Sequence, residues 1–218
     1  MKMKKTTVWR AGIYSAGVAT LALGVIFCTK TGLGIAPTTS VGYSVSGAFG
    51  IEFAVANFIF YCLLIALQFV LRGKNRRWRD LLQLPFSFAF SAMLGLFENV
   101  IQVPDLLWQR FVLLAVSITL IGLGVCLMVN MRLVPNPADG LADAVGWALK
   151  KDLGLGKNIL DFCCVATAFL VDALFGTLWS SVGIGTVIFM IFIGRAVHFF
   201  NRLLRERILS LAGLKKDY

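Results

Sequence analysis

The sequence predicts an all-α integral membrane protein of about six transmembrane helices, arranged as two inverted three-helix repeats. Three observations carry this expectation: apolar runs fill whole windows, the basic residues sort to one side of the membrane, and the chain matches itself at an offset of one hundred residues. Hydrophobic residues make up 58% of the 218, charged residues only 15%, and the mean hydropathy is +0.82. A soluble domain needs more polar surface, and its apolar residues recur at helical or strand periods instead of running unbroken. Alternating segments of ~10 residues, which a membrane barrel requires, do not occur.

The first run, residues 11–29, follows Lys2, Lys4, Lys5 and Arg10. It reads as a first span that sets orientation, not as a cleaved signal peptide, because it is span-length and no small-x-small site precedes a polar mature segment. Further runs cover 53–71, 81–103, 111–131, 159–175 and 182–200. Each approaches the ~20 residues that a helix rising about 1.5 Å per residue needs to cross ~30 Å of hydrocarbon. With the N-terminus inside, all of the 21 lysines and arginines except Lys30 and Arg110 fall on the cytoplasmic side. That distribution follows the positive-inside rule and places both termini in the cytoplasm. The chain then divides into a cytoplasmic N-terminus (1–10), a first membrane repeat (11–103), a second (104–201) and a basic cytoplasmic C-terminus (202–218).

At the hundred-residue offset, Leu23-Gly24-Val25 falls on Leu123-Gly124-Val125, Leu33 on Leu133 and Pro37 on Pro137. After each proline comes a segment rich in small residues and then a second span, and a third span closes each half, with Gly95 and Gly194 in corresponding places. Three spans are an odd number, so the second copy enters the membrane from the other side. Such inverted pairs recur in secondary transporters, with the solute site at the repeat interface. Duplication as a plain way to build a bundle is the competing reading.

Composition also excludes several functions. The net charge of +10 suggests nucleic acid, yet the topology accounts for the basic residues and leaves no basic surface with interleaved aromatics. The five cysteines all lie in apolar runs without metal-ligand spacing, and the lone histidine, His198, rules out histidine-based metal sites and a Ser-His-Asp triad. No metal, cofactor or enzymatic activity is expected.

The chain breaks at Gly and Pro after the first span of each half, over residues 31–37 and 132–137. Asn136 can cap the helix that Pro137 opens, with Asp139 in its first turn, and Thr38, Thr39 and Ser40 supply hydroxyls at the matching place in the first half. Helix starts of this kind can bind anions, and they also serve as plain caps at a membrane surface. Among the intramembrane carboxylates, Asp161 alone calls for an explanation, because Glu98 and Asp172 lie near span ends within reach of headgroups. Asp139 and Asp143, four apart, share a helical face. The candidate substrate-binding set is therefore Thr38, Thr39, Ser40, Asn136, Asp139, Asp143, Asn158 and Asp161. The alternative is a solvated helix start plus an interfacial carboxylate paired with Lys157.

Pro137-Ala138-Asp139-Gly140-Leu141 and Gly183-Ile184-Gly185-Thr186, followed by Gly194 and Phe199, resemble the Pro-x-Asp-Gly-Leu element and closing Gly-x-Gly-Thr helix of the YczE/YyaS/YitT group of bacterial membrane proteins. The resemblance covers residues 11–201 in layout and implies a multi-pass protein of the bacterial plasma membrane. The expected function is a small secondary transporter of a small polar or anionic solute, complete in itself or acting as a homodimer. The alternative is a non-transporting accessory or regulatory protein that acts through its basic cytoplasmic face.

Overall fold

The computed structural model describes residues 2–99, 102–176 and 181–214, and the side chains from Thr6 onward outside the two gaps. Eight α-helices follow in order: α1 (Lys2–Lys30), α2 (Pro37–Phe49), α3 (Phe53–Arg72), α4 (Gln83–Glu98), α5 (Leu107–Met131), α6 (Pro137–Ala148), α7 (Leu153–Leu174) and α8 (Ile184–Leu211). All but α2 and α6 belong to candidate membrane spans, six in the described residues; α4 reaches that length together with the 3-10 turn Trp78–Leu82 that leads into it. The third expected span stops early: α4 ends at Glu98, residues 100–101 lie outside the described residues, and residues 102–106 are not helical. The final span runs on through Arg202, Arg205 and Arg207 to Leu211, so most of the expected C-terminal tail continues α8; Lys215 and Lys216 lie outside the described residues.

Small residues set how closely the helices approach. α1 and α5 run antiparallel at the centre, where a Cβ on Gly124 would meet the Leu21 nitrogen at 2.7 Å and one on Gly17 would meet the Gly124 oxygen at 3.0 Å. The Ser117 hydroxyl donates to the Gly24 carbonyl across the same seam at 2.7 Å. Without water between helices, close backbone approach and such bonds hold the pair. α4 packs on α1 and α8 on α5; α2 and α6 each pack on both α3 and α7; α3 packs on α4. α7 and α8, by contrast, barely touch.

The two short helices begin inside the bundle. The Arg10 guanidinium donates to the Met131 carbonyl at 2.9 Å, and one turn deeper along α1 the Tyr14 hydroxyl donates to the Val134 carbonyl at 2.8 Å. After α5 the chain therefore turns back along α1 before α6 starts. After α1 it does the same: the Ala36 N–H donates to the Cys28 sulfur at 3.3 Å, a turn before that helix ends. Proline at the first helical position suits both starts, since its missing N–H has no intrahelical acceptor to serve.

The start of α1 and the end of α8 meet at one end of the bundle, where a Cβ on Gly213 would touch Thr6; we call this the terminal face. At the opposite face, residues 31–36 are pinned to the segment before α8. The Ile35 N–H donates to the Ser181 carbonyl at 2.9 Å and the Gly185 N–H to the Leu33 carbonyl at 2.7 Å.

Candidate functional site: a central cavity

A cavity of about 750 Å³ lies in the middle of the bundle. It contacts every helix and continues to the terminal face, where Arg77, Arg132 and Leu153 line it. Its apolar wall comes from α1, α4, α5 and α8, through residues such as Val25, Phe90, Ile121 and Phe189. Its polar wall comes from α3, α6 and α7.

The polar wall holds two ion clusters. In the first, Lys157 Nζ stands 3.3 Å from Asp139 Oδ1 and 3.8 Å from Asp161 Oδ1. In the second, Arg72 is only 6% exposed; it pairs with Asp80 at 3.4 Å and with Asp143, which Arg77 also approaches at 3.7 Å. A buried guanidinium is retained only where carboxylates take up its donors, and Asp80 and Asp143 do that here.

Seven of the eight sequence-predicted residues line this cavity: Thr38, Thr39, Asn136, Asp139, Asp143, Asn158 and Asp161. Ser40 does not; it is buried and donates to the Pro37 carbonyl at 2.7 Å. Asn136 caps α6 through the Ala138 N–H at 3.0 Å. Asp139 and Asp143 share a helix but serve different clusters. Lys157 pairs with Asp161 as expected and with Asp139 as well.

Asp172 corrects the sequence reading. It does not reach headgroups: it is fully buried, and its carboxylate accepts from Ser44 of α2, from the Ser181 hydroxyl at 2.6 Å and from the Ser181 N–H at 3.1 Å. The reading also missed Arg72, counted only among the basic residues of the cytoplasmic side, and Gln68 and Gln83, which are at most 1% exposed. Both amides flank Gly140, where an added Cβ would meet Gln68 Oε1 at 2.5 Å and Gln83 Nε2 at 2.7 Å. Polar residues inside otherwise apolar runs were the signal available for both.

Among the described residues, no three histidine, cysteine, aspartate or glutamate side chains converge as metal ligands would. The arrangement can bind a ligand between paired charges and an apolar wall.

The sequence profile of a family of unknown function, DUF6198, matches residues 8–202. The chain belongs to that family. An uncharacterised protein of Haemophilus influenzae is 22% identical over 204 residues, covering 91% of this chain and 88% of its own length. YyaS of Bacillus subtilis, also uncharacterised, is 24% identical over 199 residues, covering 90% of this chain and 94% of its own length. The resemblance read from the Pro137 and Gly183 elements thus leads to a homologue of YyaS, and this DUF6198 member is a multi-pass membrane protein with bacterial relatives. No solved structure matches the chain.

Proposed function

We propose that the protein is a small secondary transporter built from two inverted repeats, α1–α4 and α5–α8, with the central cavity as its solute site. The observation that carries this reading is a pair of buried polar clusters at corresponding positions. Asp172 ties α2 at Ser44 and the α8 entry at Ser181 to the end of α7. Arg72 ties α6 at Asp143 and the α4 entry at Asp80 to the end of α3. Asp172 and Arg72 are one hundred residues apart, and their partners correspond within one residue of that offset. The helix packing has the same symmetry, since exchanging the halves turns α1 on α4 into α5 on α8 and α2 on α7 into α6 on α3. A polar cluster of this kind near each end of the bundle gives a rocking motion of the two repeats a contact to break in turn. The positive-inside distribution makes the terminal face cytoplasmic.

Alternating exposure of the cavity tests this. With the five native cysteines replaced, a single cysteine at Thr38 should react with an impermeant maleimide from the terminal face. Adding Asp172→Asn should open reaction from the opposite face as well. Reaction from one face only, in both proteins, would leave a bundle that does not alternate and would favour the accessory role.

A further inference from the structure

Arg195 puts a charge on the outer surface of α8 at membrane depth. The positive-inside pattern counts it on the cytoplasmic side, but the helix packing sets it deeper. Asn130 of α5 donates to Asn201 of α8 at 2.6 Å, so these two residues lie level, just inside Arg132 at the terminal face. Arg195 precedes Asn201 by six residues on α8, which is about 9 Å further into the bilayer. Its neighbour Ala196 agrees, since a Cβ on Gly122, well before the end of α5 at Met131, would meet the Ala196 Cβ at 2.6 Å.

The guanidinium does not reach back to the headgroups. Long basic side chains near a span end extend to the surface. This one is turned the other way: it donates to the Ile191 carbonyl at 2.7 Å and lies 5.6 Å from the centre of the Phe192 ring. Both contacts are on its own helix, and among the described residues Arg195 makes no ion pair. Arginine within a membrane normally faces the bundle interior or a paired acid. The first half follows the ordinary pattern: Leu96, which comes after Gly95 as Arg195 comes after Gly194, is 72% exposed.

Arg195 also sits in a groove. Ile118 and Thr119 of α5 and Phe192, Ala196 and Phe199 of α8 border a depression of about 380 Å³ around it. Small residues such as Thr119 and Ala196 let another helix come close. The charge requires an acid at the same depth. A second copy of this chain does not offer one among the described residues: Asp80, Asp139, Asp143 and Asp161 line the central cavity, Asp172 is buried, and the others stand at helix ends or past Asn201. Lipid phosphates lie at the surface from which the guanidinium is turned away.

We propose that the α5–α8 groove docks a transmembrane helix of another protein, one that carries a single Asp or Glu in mid-span to pair with Arg195. The groove is on the lipid-facing side, apart from the central cavity, so this inference stands whether or not the cavity transports a solute.

Energy transfer in phosphatidylcholine nanodiscs tests it, between acceptor-labelled protein and donor-labelled synthetic Leu/Ala transmembrane helices flanked by lysines, with Glu, Gln or Leu at the centre. The Glu helix should bind about tenfold more tightly than the Leu helix, the scale of one polar contact between membrane helices. Arg195→Leu should erase that preference with no loss of melting temperature, since leucine suits a lipid-facing position. Moving the charge to α4, in Arg195→Leu/Leu96→Arg, should not restore it. No preference in the wild-type protein, or an undiminished one in Arg195→Leu, would overturn the inference. So would restoration by the α4 arginine, which would make the groove irrelevant. Loss of the preference when phosphatidylglycerol replaces phosphatidylcholine would assign Arg195 to a lipid headgroup instead, and disulfide-linked dimers of Thr119→Cys in a cysteine-free background would assign the groove to a second copy.

Discussion

Gly156→Ala probes the contact that holds α6, and with it half of the polar wall, in place. A Cβ at Gly156 would overlap the Ala142 carbonyl oxygen and lie 2.8 Å from the Gly146 nitrogen, whereas ordinary contact begins at 3.4 Å. The helices would have to part, because the atoms in the way are backbone, which cannot rotate aside. Overpacking typically costs ~1–3 kcal/mol, and with backbone on the far side the expectation is the upper end, about 3 kcal/mol. Gly194→Ala is the control: it meets nothing, and its better helix propensity adds at most ~1 kcal/mol of stability. Equilibrium unfolding in mixed micelles, read by tryptophan fluorescence, should separate the two substitutions by at least about 3 kcal/mol. A Gly156→Ala protein within ~0.5 kcal/mol of wild type, the usual range for a surface change, would refute the close approach of α6 to α7.

Three further outcomes follow from the buried clusters. Asp172→Ala removes the acceptor for the Ser181 N–H and hydroxyl; each unpaired group costs about 1–3 kcal/mol, so the same unfolding assay should show a loss of about 2–6 kcal/mol. Arg72→Gln strands Asp80, which is 8% exposed, and should cost about 3–5 kcal/mol, whereas Asp143→Asn, at a half-exposed side chain, should cost about 1 kcal/mol or less; equal losses would contradict the burial difference. Gly34→Ala places a Cβ 2.6 Å from the Gly183 nitrogen on backbone with φ of +109°. It should loosen the closure at the opposite face, seen as faster labelling of a cysteine at Thr38 from that side.

What the sequence made legible was whatever depends on the chain's own pattern. Span length and apolar continuity located six helices, and the Pro137 start, the Asn136 cap and the pairing of Lys157 with Asp161 follow from local chemistry. Residues whose role depends on a distant element were misread. Arg72 sits in a basic run and looks like any interfacial anchor; only the placement of α6, 71 residues away at Asp143, makes it a buried ion-pair centre. Asp172 looks like a span-end carboxylate because Ser44, its partner, is 128 residues away. The inward turn of residues 31–36 and 132–136 was equally hidden, since a Gly/Pro break says that a helix ends and not which way the chain then goes.

On the proposed transport cycle, the movement would show at two glycines: a Cβ on Gly95 would meet the Ala54 Cβ at 3.4 Å, whereas one on Gly194 would meet no atom within 4 Å. On the inverted-repeat reading, the slot between α7 and α8 and the seam between α3 and α4 are the same structural element, caught open in one half and closed in the other. The closed seam brings Gly95 against Ala54, and the hundred-residue correspondence makes Gly154 the matching partner for Gly194. Both Gly154 and Gly194 line the cavity and are exposed. In a cysteine-free background, an Ala54→Cys/Gly95→Cys pair should therefore cross-link readily in the conformation described here, and a Gly154→Cys/Gly194→Cys pair should not. Asp172→Asn loosens the closure at the opposite face, so it should reverse that order by favouring the state in which the α7–α8 slot has shut. Both pairs cross-linking in the same molecules would mean that the halves close independently, and the cavity would then be a binding pocket with no coupled exit.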